Sequence, residues 1–480
     1  MLGKSENRAR FFNDVQACGE DSLTAYLKNN RKTSLHHWKA IKAKFESKLA
    51  AVDAEKHRLE WLRSEQTKEG KQELGAHFAD DSFWEAIDSN ESQKACPWYS
   101  DELKRLQSEL FATALEVNEC FLLSAVTNTE TQSNFVATTL AAFFQYQSGQ
   151  IKPSQVQKEA LWRMFQQVVP VISSTFAALG YMFADIDREQ IPWLFIDEAG
   201  QALPSNAVGA LWRSKRAVVI GDPMQIEPVN AIPFDLVTFM GEKYGLTKEH
   251  LGMQLSVQSL ADRANQDGIM LGADPESKTW IGTPLRVHRR CVKPIFDIAN
   301  RIAYNNTMVL GTEQKATSLE MTSAFIHCEG RVEGKHFVRA QAAEVFRLVM
   351  IEFQKSSSIP SLFIISPFSE VIEKLKVFMG KSDLLKFSHH DPTKVRKWIK
   401  SNIGTVHSFQ GKEAEGVILC LGLDKTKMSA ATWVSEKPNL LNVALTRAKN
   451  RFVAIGDQDI WLQQLHIQEL RSLIPQSARS

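Results

Sequence analysis

The 480-residue sequence predicts an α/β protein built on parallel sheets, and three observations carry that expectation. From Trp193 onward, short runs rich in Val and Ile stop at turn chemistry: WLFI before Asp197, AVVI before Gly221-Asp222, LFII before Ser366-Pro367 and FVAI before Gly456-Asp457, with VILCLG after Gly416. Apolar runs of about five residues are what strands buried on both faces require. Between them lie stretches of helical periodicity at 339–355 and 369–379, and such alternation implies parallel sheets with crossover helices. Residues 20–165 differ in being helical throughout.

In that leading segment, Leu35, Trp38, Ile41, Phe45, Leu49, Val52, Leu59 and Leu62 recur at helical spacings among Lys, Glu and Arg. They form one apolar stripe on a long charged helix, suited to a core-facing or hairpin contact. The polar stretch 266–282, with Gly268, Gly272, Pro275 and Gly282, reads as a linker between two α/β units.

Composition narrows the class. Hydrophobic content of 44% and charged content of 23% match a folded globular protein. A net charge of +2 gives no global pull toward nucleic acid, so any basic track has to be local. The six cysteines form no CxxC pair, which argues against a zinc site or disulfide framework and fits a reducing cytoplasm. Nothing near Met1 resembles a signal peptide and no stretch is suited to spanning a membrane. The expectation is a cytoplasmic protein.

The chemistry concentrates in five blocks. WLFIDEAGQ places Asp197 and Glu198 where an apolar strand ends, at the carboxyl edge of a parallel sheet. Phosphoryl transfer uses such a pair, one carboxylate to hold Mg²⁺ and one to direct water. GDPMQIEP, Gly221 to Pro228, adds a tight turn and Gln225, an uncharged group able to bond both a phosphate oxygen and a water. PLRVHRRC (Pro284 to Cys291), GTVHSFQGKEAEGVIL (Gly404 to Leu419) and NLLNVALTRAKNRFVAIGD (Asn439 to Asp457) follow in that order.

In order and spacing these blocks resemble motifs II to VI of superfamily 1 helicases, across residues 165–460. The resemblance is to the branch of nonsense-mediated-decay and Okazaki-processing helicases and their bacterial relatives. LGKSENRARFF at 2–12 also resembles a segment that follows motif Ia in that family. The resemblance implies two RecA-like domains: a remnant of the first with a helical insertion over 1–165, the rest of the first over 166–280, and the second over 281–480. It implies ATP and Mg²⁺ as cofactors and ATP-driven 5′→3′ movement on single-stranded DNA or RNA.

Residue by residue, it gives Asp197 to Mg²⁺, Glu198 to water activation and Gln225 to γ-phosphate sensing. Arg290 and Arg447 become arginine fingers. Gln410, Gly411 and Glu413 face the nucleotide, while Thr405 and His407 face the nucleic acid. Arg289 takes a place where several relatives carry an adenine-stacking aromatic, and a guanidinium can stack too. Ser174 and Thr175, in PVISSTF, either bind phosphodiester oxygens or cap a turn.

A P-loop needs GxxxxGK[ST] between a strand and a helix, and these 480 residues contain none. Gly3-Lys4-Ser5 ends like one but lacks the leading glycine. The expectation is therefore a first domain short of its central strand, completed by an upstream-encoded polypeptide or truncated. The rival is a catalytically inactive nucleic-acid- or partner-binding remnant.

Overall fold

The computed structural model describes residues 31–65, 85–86, 89–95, 99–124, 135–229, 232–245, 255–271, 278–314, 316–381, 389–409 and 411–474. Residues 2–12 and Gln410 lie outside these. Contacts divide the chain into one unit of Met1–Leu194 with Asn206–Ala217, and another of Phe195–Ser205 with Val218–Ser480.

The first unit is helical. The expected stripe forms α1, Arg31–Glu65, which packs along α2, Asp101–Ser124. Val52, Leu59 and Leu62 meet Leu103 and Leu106, and all five are buried. Leu49 departs from the expectation at 41% exposure, and the side chains of Leu35 and Trp38 lie outside the described ones. Ion pairs Lys44–Glu116 and Lys48–Glu109 fix the register. A second pair, α3 (Phe135–Gln147) and α4 (Gln155–Val168), closes on aromatics, with Phe143 stacked on Phe165 at 4.3 Å between centroids. Helix α5, Phe176–Met182, follows.

Two strand segments come next, β1 (Leu194–Ile196) and β2 (Ala217–Val219). Ile220 N–H donates to the Ile196 carbonyl at 2.8 Å and Ala199 N–H to the Ile220 carbonyl at 3.0 Å. The expectation of strands buried on both faces fails here, because Phe195 is 66% and Ile220 46% exposed. Among the described residues this sheet holds only these two strands, so little packs over their faces.

Helix α6, Val257–Ala264, opens on a reciprocal Ser256/Ser259 capping box. The stretch read as a linker instead holds an antiparallel ladder, β3 (Gly268–Leu271) against β4 (Thr279–Gly282). Its flanking Gly and polar residues hid two strands too short to show alternation. Glycine is required at 268, where a Cβ would lie 2.2 Å from the Ile281 carbonyl oxygen. Asp262 ties the ladder to α6, its Oδ1 accepting from Gln258 Nε2 at 2.9 Å and from Gly282 N–H at 3.1 Å.

The rest of the second unit is the expected α/β sandwich. After α7, Ile295–Tyr304, come β5 (Ala324–His327), α8 (Arg339–Lys355), β6 (Leu362–Ser366), α9 (Ser369–Lys381), α10 (Pro392–Asn402), β7 (Ile403–Thr405), β8 (Ala414–Cys420), α11 (Asn439–Thr446) and β9 (Ala448–Gly456). The five strands form one parallel sheet in the order β5-β9-β8-β6-β7. Val417, Ile418, Ile364, Ile365 and Phe452 are essentially inaccessible. Each such side chain contributes about 1.5–3 kcal/mol of burial. Among the described residues, no helix is long and apolar enough to cross a membrane.

Candidate functional site

The site is built where the first short strands end. Glu198 adopts a left-handed backbone, φ 54 and ψ 40, sparsely used by residues other than glycine. That turn sends the chain into a short 3-10 segment, Ala199–Gln201, and leaves the Asp197 and Glu198 carboxylates beside the strand end. Asp197 Oδ1 accepts from Glu198 N–H at 2.9 Å, and Gln201 Nε2 donates to Glu198 Oε2 at 3.3 Å. The next loop lies against this one backbone to backbone. A Cβ on Gly200 would stand 3.0 Å from the Asp222 carbonyl oxygen, and one on Gly221 2.9 Å from the Gly200 nitrogen. Position 221 therefore needs glycine, and a side chain at Gly200 would press on the Asp222 carbonyl.

Gln225 is held at both ends of its amide. Nε2 donates to Asp222 Oδ2 at 2.9 Å, while Oε1 accepts from Arg447 Nη2 at 3.4 Å. Asp222 in turn accepts from the Tyr304 hydroxyl at 2.5 Å and, on Oδ1, from Met224 N–H at 2.9 Å. Asn442 Nδ2 donates to the Tyr304 hydroxyl and to the Met224 carbonyl, each at 2.9 Å. Tyr304 ends α7 and Asn442 lies on α11, so two helices grip one loop. Burial, then the Asp222 carboxylate, holds the Tyr304 phenol well above its ordinary range, so it remains a donor.

Arg447 is 1% exposed. Its guanidinium donates to the carbonyls of Val443 at 3.2 Å and Lys412 at 3.1 Å, besides Gln225. Among the described residues it makes no ion pair. Burial, then the Arg290 charge, pushes it below its ordinary value, and Glu198 pulls the other way. A buried cation without a carboxylate partner is costly, and an incoming anion would offset that cost. Arg290 differs. Its Nε pairs with Glu413 Oε2 at 3.2 Å and its Nη1 donates to the Thr446 carbonyl at 3.3 Å. Lys449 shares the same carboxylate at 2.5 Å. The Lys449 hydrogen bond leads the causes that hold Glu413 below the usual carboxylate range. Gly411 has φ +74, and a Cβ there would come within 3.7 Å of Glu198 Oε1.

Asp197, Glu198, Gln225, Arg290, Arg447, Gly411 and Glu413 thus all belong to one unit, and Arg447 links the Gln225 loop to the Gly411 segment. Arg289 is exposed beside Gly311. Thr405 ends β7 with its hydroxyl 3.1 Å from Ser408 Oγ, and His407 is exposed in the 3-10 turn that follows. Ser174 and Thr175 are exposed in the other unit, where Thr175 Oγ1 accepts from Ala178 N–H at 3.2 Å as the N-cap of α5. The turn-capping alternative therefore describes what Thr175 does here.

Sequence reasoning missed Asp222, Tyr304, Asn442 and Lys449. Asn442 left a trace as a polar residue in the apolar run LLNVAL. Tyr304 left none.

The donor set fits a magnesium polyphosphate: two adjacent carboxylates are hard oxygen ligands, and a buried guanidinium with no ion pair among the described residues suits phosphate oxygens. Comparisons with known proteins agree. Two family models, each described as an AAA domain, match residues 13–231 and 276–459. Regulator of nonsense transcripts 1 of Dictyostelium discoideum is 24% identical over 57% of this chain and 19% of its own length. An uncharacterized ATP-dependent helicase, the MG140 homolog of Mycoplasma pneumoniae, is 24% identical over 66% of this chain and 29% of its own. The DNA replication ATP-dependent helicase/nuclease DNA2 of Gallus gallus is 21% identical over 60% and 25%. The chain thus spans between 19% and 29% of these three relatives. Family matches over both parts of the chain, together with helicases among its relatives, have one consequence: the chain belongs to the superfamily 1 helicases, in the branch of the nonsense-mediated-decay and Okazaki-processing types.

Proposed function

We propose that the chain is the motif II to VI portion of an ATP-driven translocase on single-stranded DNA or RNA, moving 5′→3′. The observation that carries this reading is Arg447, buried at 1% exposure with no ion pair among the described residues and bonded to Gln225. Asp197 would hold Mg²⁺, which supplies charge neutralisation of the β- and γ-phosphates when bound. Glu198 would orient and deprotonate water, and Gln225 would exchange one of its present partners for a γ-phosphate oxygen. Arg447 and Arg290 would meet the charge that builds on the transferred phosphoryl group, with Arg290 first leaving Glu413. Arg289, Gln410, Gly411 and Glu413 would line the nucleotide, and Ser174, Thr175, Thr405 and His407 the nucleic-acid backbone. In this reading residues 1–165 and 166–280 belong to the first RecA-like domain and 281–480 to the second.

This chemistry would also call for the lysine and backbone N–H cradle of a GxxxxGK[ST] loop, supplied in cis or in trans. The remnant reading has one feature in its favour, that no such loop occurs in these 480 residues. The deciding assay is nucleic-acid-stimulated ATP hydrolysis by the chain alone and by the chain joined to a segment that carries a GxxxxGK[ST] loop. Negligible turnover alone, with turnover abolished by Glu198→Gln in the joined form, is expected. A joined form that binds ATP yet hydrolyses none would establish the remnant.

A further inference from the structure

Helix α10 carries Lys394, Arg396, Lys397 and Lys400 within seven residues, and all four are exposed. Its buried residues are Val395, Trp398 and Ile399. At about 100° per residue the four cations cover the arc opposite that buried face. None has an ion-pair partner among the described residues. This sets the helix apart in a chain whose net charge is only +2. Several other helices do carry matched cations, as in Lys44–Glu116 across α1 and α2, Arg347–Glu344 on α8 and Lys374–Glu370 on α9. The acid adjoining α10, Asp391, is its N-cap, accepting from Thr393 N–H at 2.7 Å.

Lys394/Lys397 and Lys397/Lys400 stand three apart and Arg396/Lys400 four apart, so like charges face each other along the surface and work against the helix. Inward contacts hold it in place regardless. Trp398 Nε1 donates to the Pro360 carbonyl at 3.2 Å and Asn402 Nδ2 to the Leu362 carbonyl at 3.0 Å, both where β6 begins. The helix then runs without a break into β7, the edge strand of the sheet. Three residues on, β7 ends at Thr405, with His407 in the following turn. At ~3.3 Å per residue the three-residue strand spans roughly 10 Å between the end of the helix and Thr405.

We propose that the exposed face of α10 binds the phosphodiester backbone of single-stranded nucleic acid that passes Thr405 and His407 and continues along the edge of the sheet at β7. This rests on the nucleic-acid reading above and extends its track to a surface that none of the motifs contains. Lysine-rich recognition of this kind is point-charge recognition of phosphate, without base readout.

The test uses the 480-residue chain as it stands, with a fluorescent oligothymidylate and anisotropy read from 25 to 300 mM salt. Lys397→Glu with Lys400→Glu, Lys397→Gln with Lys400→Gln, and Thr405→Ala with His407→Ala are compared. Thermal melting serves as the fold control, and loss of like-charge repulsion in the Gln pair leaves the melting temperature unchanged or higher. The Glu pair is expected to weaken binding roughly tenfold or more at 0.1 M salt, and the Gln pair to flatten the log–log salt slope by about 1.4, two phosphates at ~0.7 each. Binding lost in the Thr405/His407 pair but unchanged in both α10 pairs overturns this proposal alone. An oligonucleotide that fails to bind wild type at 25 mM salt overturns the nucleic-acid reading and the proposal together. Polyglutamate binding that is lost in the Glu pair while oligonucleotide binding persists makes the face a docking site for an acidic protein instead.

Discussion

Tyr304 and Asp222, 82 residues apart, share a 2.5 Å hydrogen bond that decides which way the Gln225 amide points. Asp222 Oδ2 accepts from both the Tyr304 hydroxyl and Gln225 Nε2, which leaves Gln225 Oε1 directed at Arg447. Without the phenol, Asp222 keeps a lone pair with no donor, and Asn442 Nδ2 keeps only the Met224 carbonyl. Tyr304→Phe is expected to cost about 1.5–3 kcal/mol, the range for a hydrogen bond to a charged group. It should also broaden the side-chain amide resonance of Gln225, identified by its loss in Gln225→Glu. An unshifted, sharp resonance in Tyr304→Phe would show that Asp222 alone orients the amide.

Arg447 sets up a second expectation. In the form joined to the GxxxxGK[ST] segment, Arg447→Ala should lower ATP turnover by ~10³–10⁵, the range for an arginine that meets transition-state charge. Arg447→Lys should fail to restore it, because one ammonium cannot replace a planar fork that reaches Gln225 and two carbonyls at once. Oligonucleotide affinity should stay within about twofold, since Arg447 is buried among backbone carbonyls. A large loss of strand binding with turnover spared would place Arg447 in the nucleic-acid track instead.

His288 supplies a pH expectation. Its Nε2 accepts from Cys291 N–H at 2.8 Å, and burial, then the Arg290 charge, pushes it down to about 4. The unfolded imidazole titrates near 6.5, so between these values the unfolded chain binds a proton that the folded chain does not. Its contribution is therefore complete above 6.5 and is lost as pH falls through 4. His288→Gln, which retains an acceptor without a titration, should show a shallower fall in melting temperature from pH 7 to 4. Parallel curves for the two proteins would remove His288 from the account.

These three expectations differ in how far the sequence announced them. Arg339–Lys355 appears as the helix that its periodicity predicts, and the strands ending at Ser366 and Gly456 stop at their turn residues. Local patterns suffice for such elements because one face or one run has to be buried. Asp197, Glu198, Gln225 and Arg447 were legible as motif residues. The near-complete burial of Arg447 was not, since a charged residue after a helix ordinarily reads as solvated. Tyr304 was invisible, and Asn442 showed only as a polar break in an apolar run, for a related reason: their partners lie 82 and more than 130 residues away in sequence. The β3/β4 ladder was masked by composition, because Gly268 and Gly282 serve close backbone approach inside strands while resembling linker punctuation.

Thr175 allows the two readings of a surface hydroxyl to be separated. Its Oγ1 accepts from Ala178 N–H at 3.2 Å and so satisfies one of the free donors at the start of α5. Thr175→Ala is expected to cost about 1 kcal/mol, the usual cost of losing an N-cap. Thr175→Asn keeps an acceptor at the same position and should recover most of that stability. Phosphodiester binding would not follow this order, because the asparagine carbonyl repels phosphate oxygen while its amide sits differently from a hydroxyl. Measuring both melting temperature and oligonucleotide affinity therefore gives a clean contrast. If stability falls in Ala and returns in Asn while affinity stays flat, Thr175 is a cap and the first-unit contact to nucleic acid must come from elsewhere. If affinity falls in both variants by more than the stability change accounts for, the hydroxyl serves the strand as well as the helix.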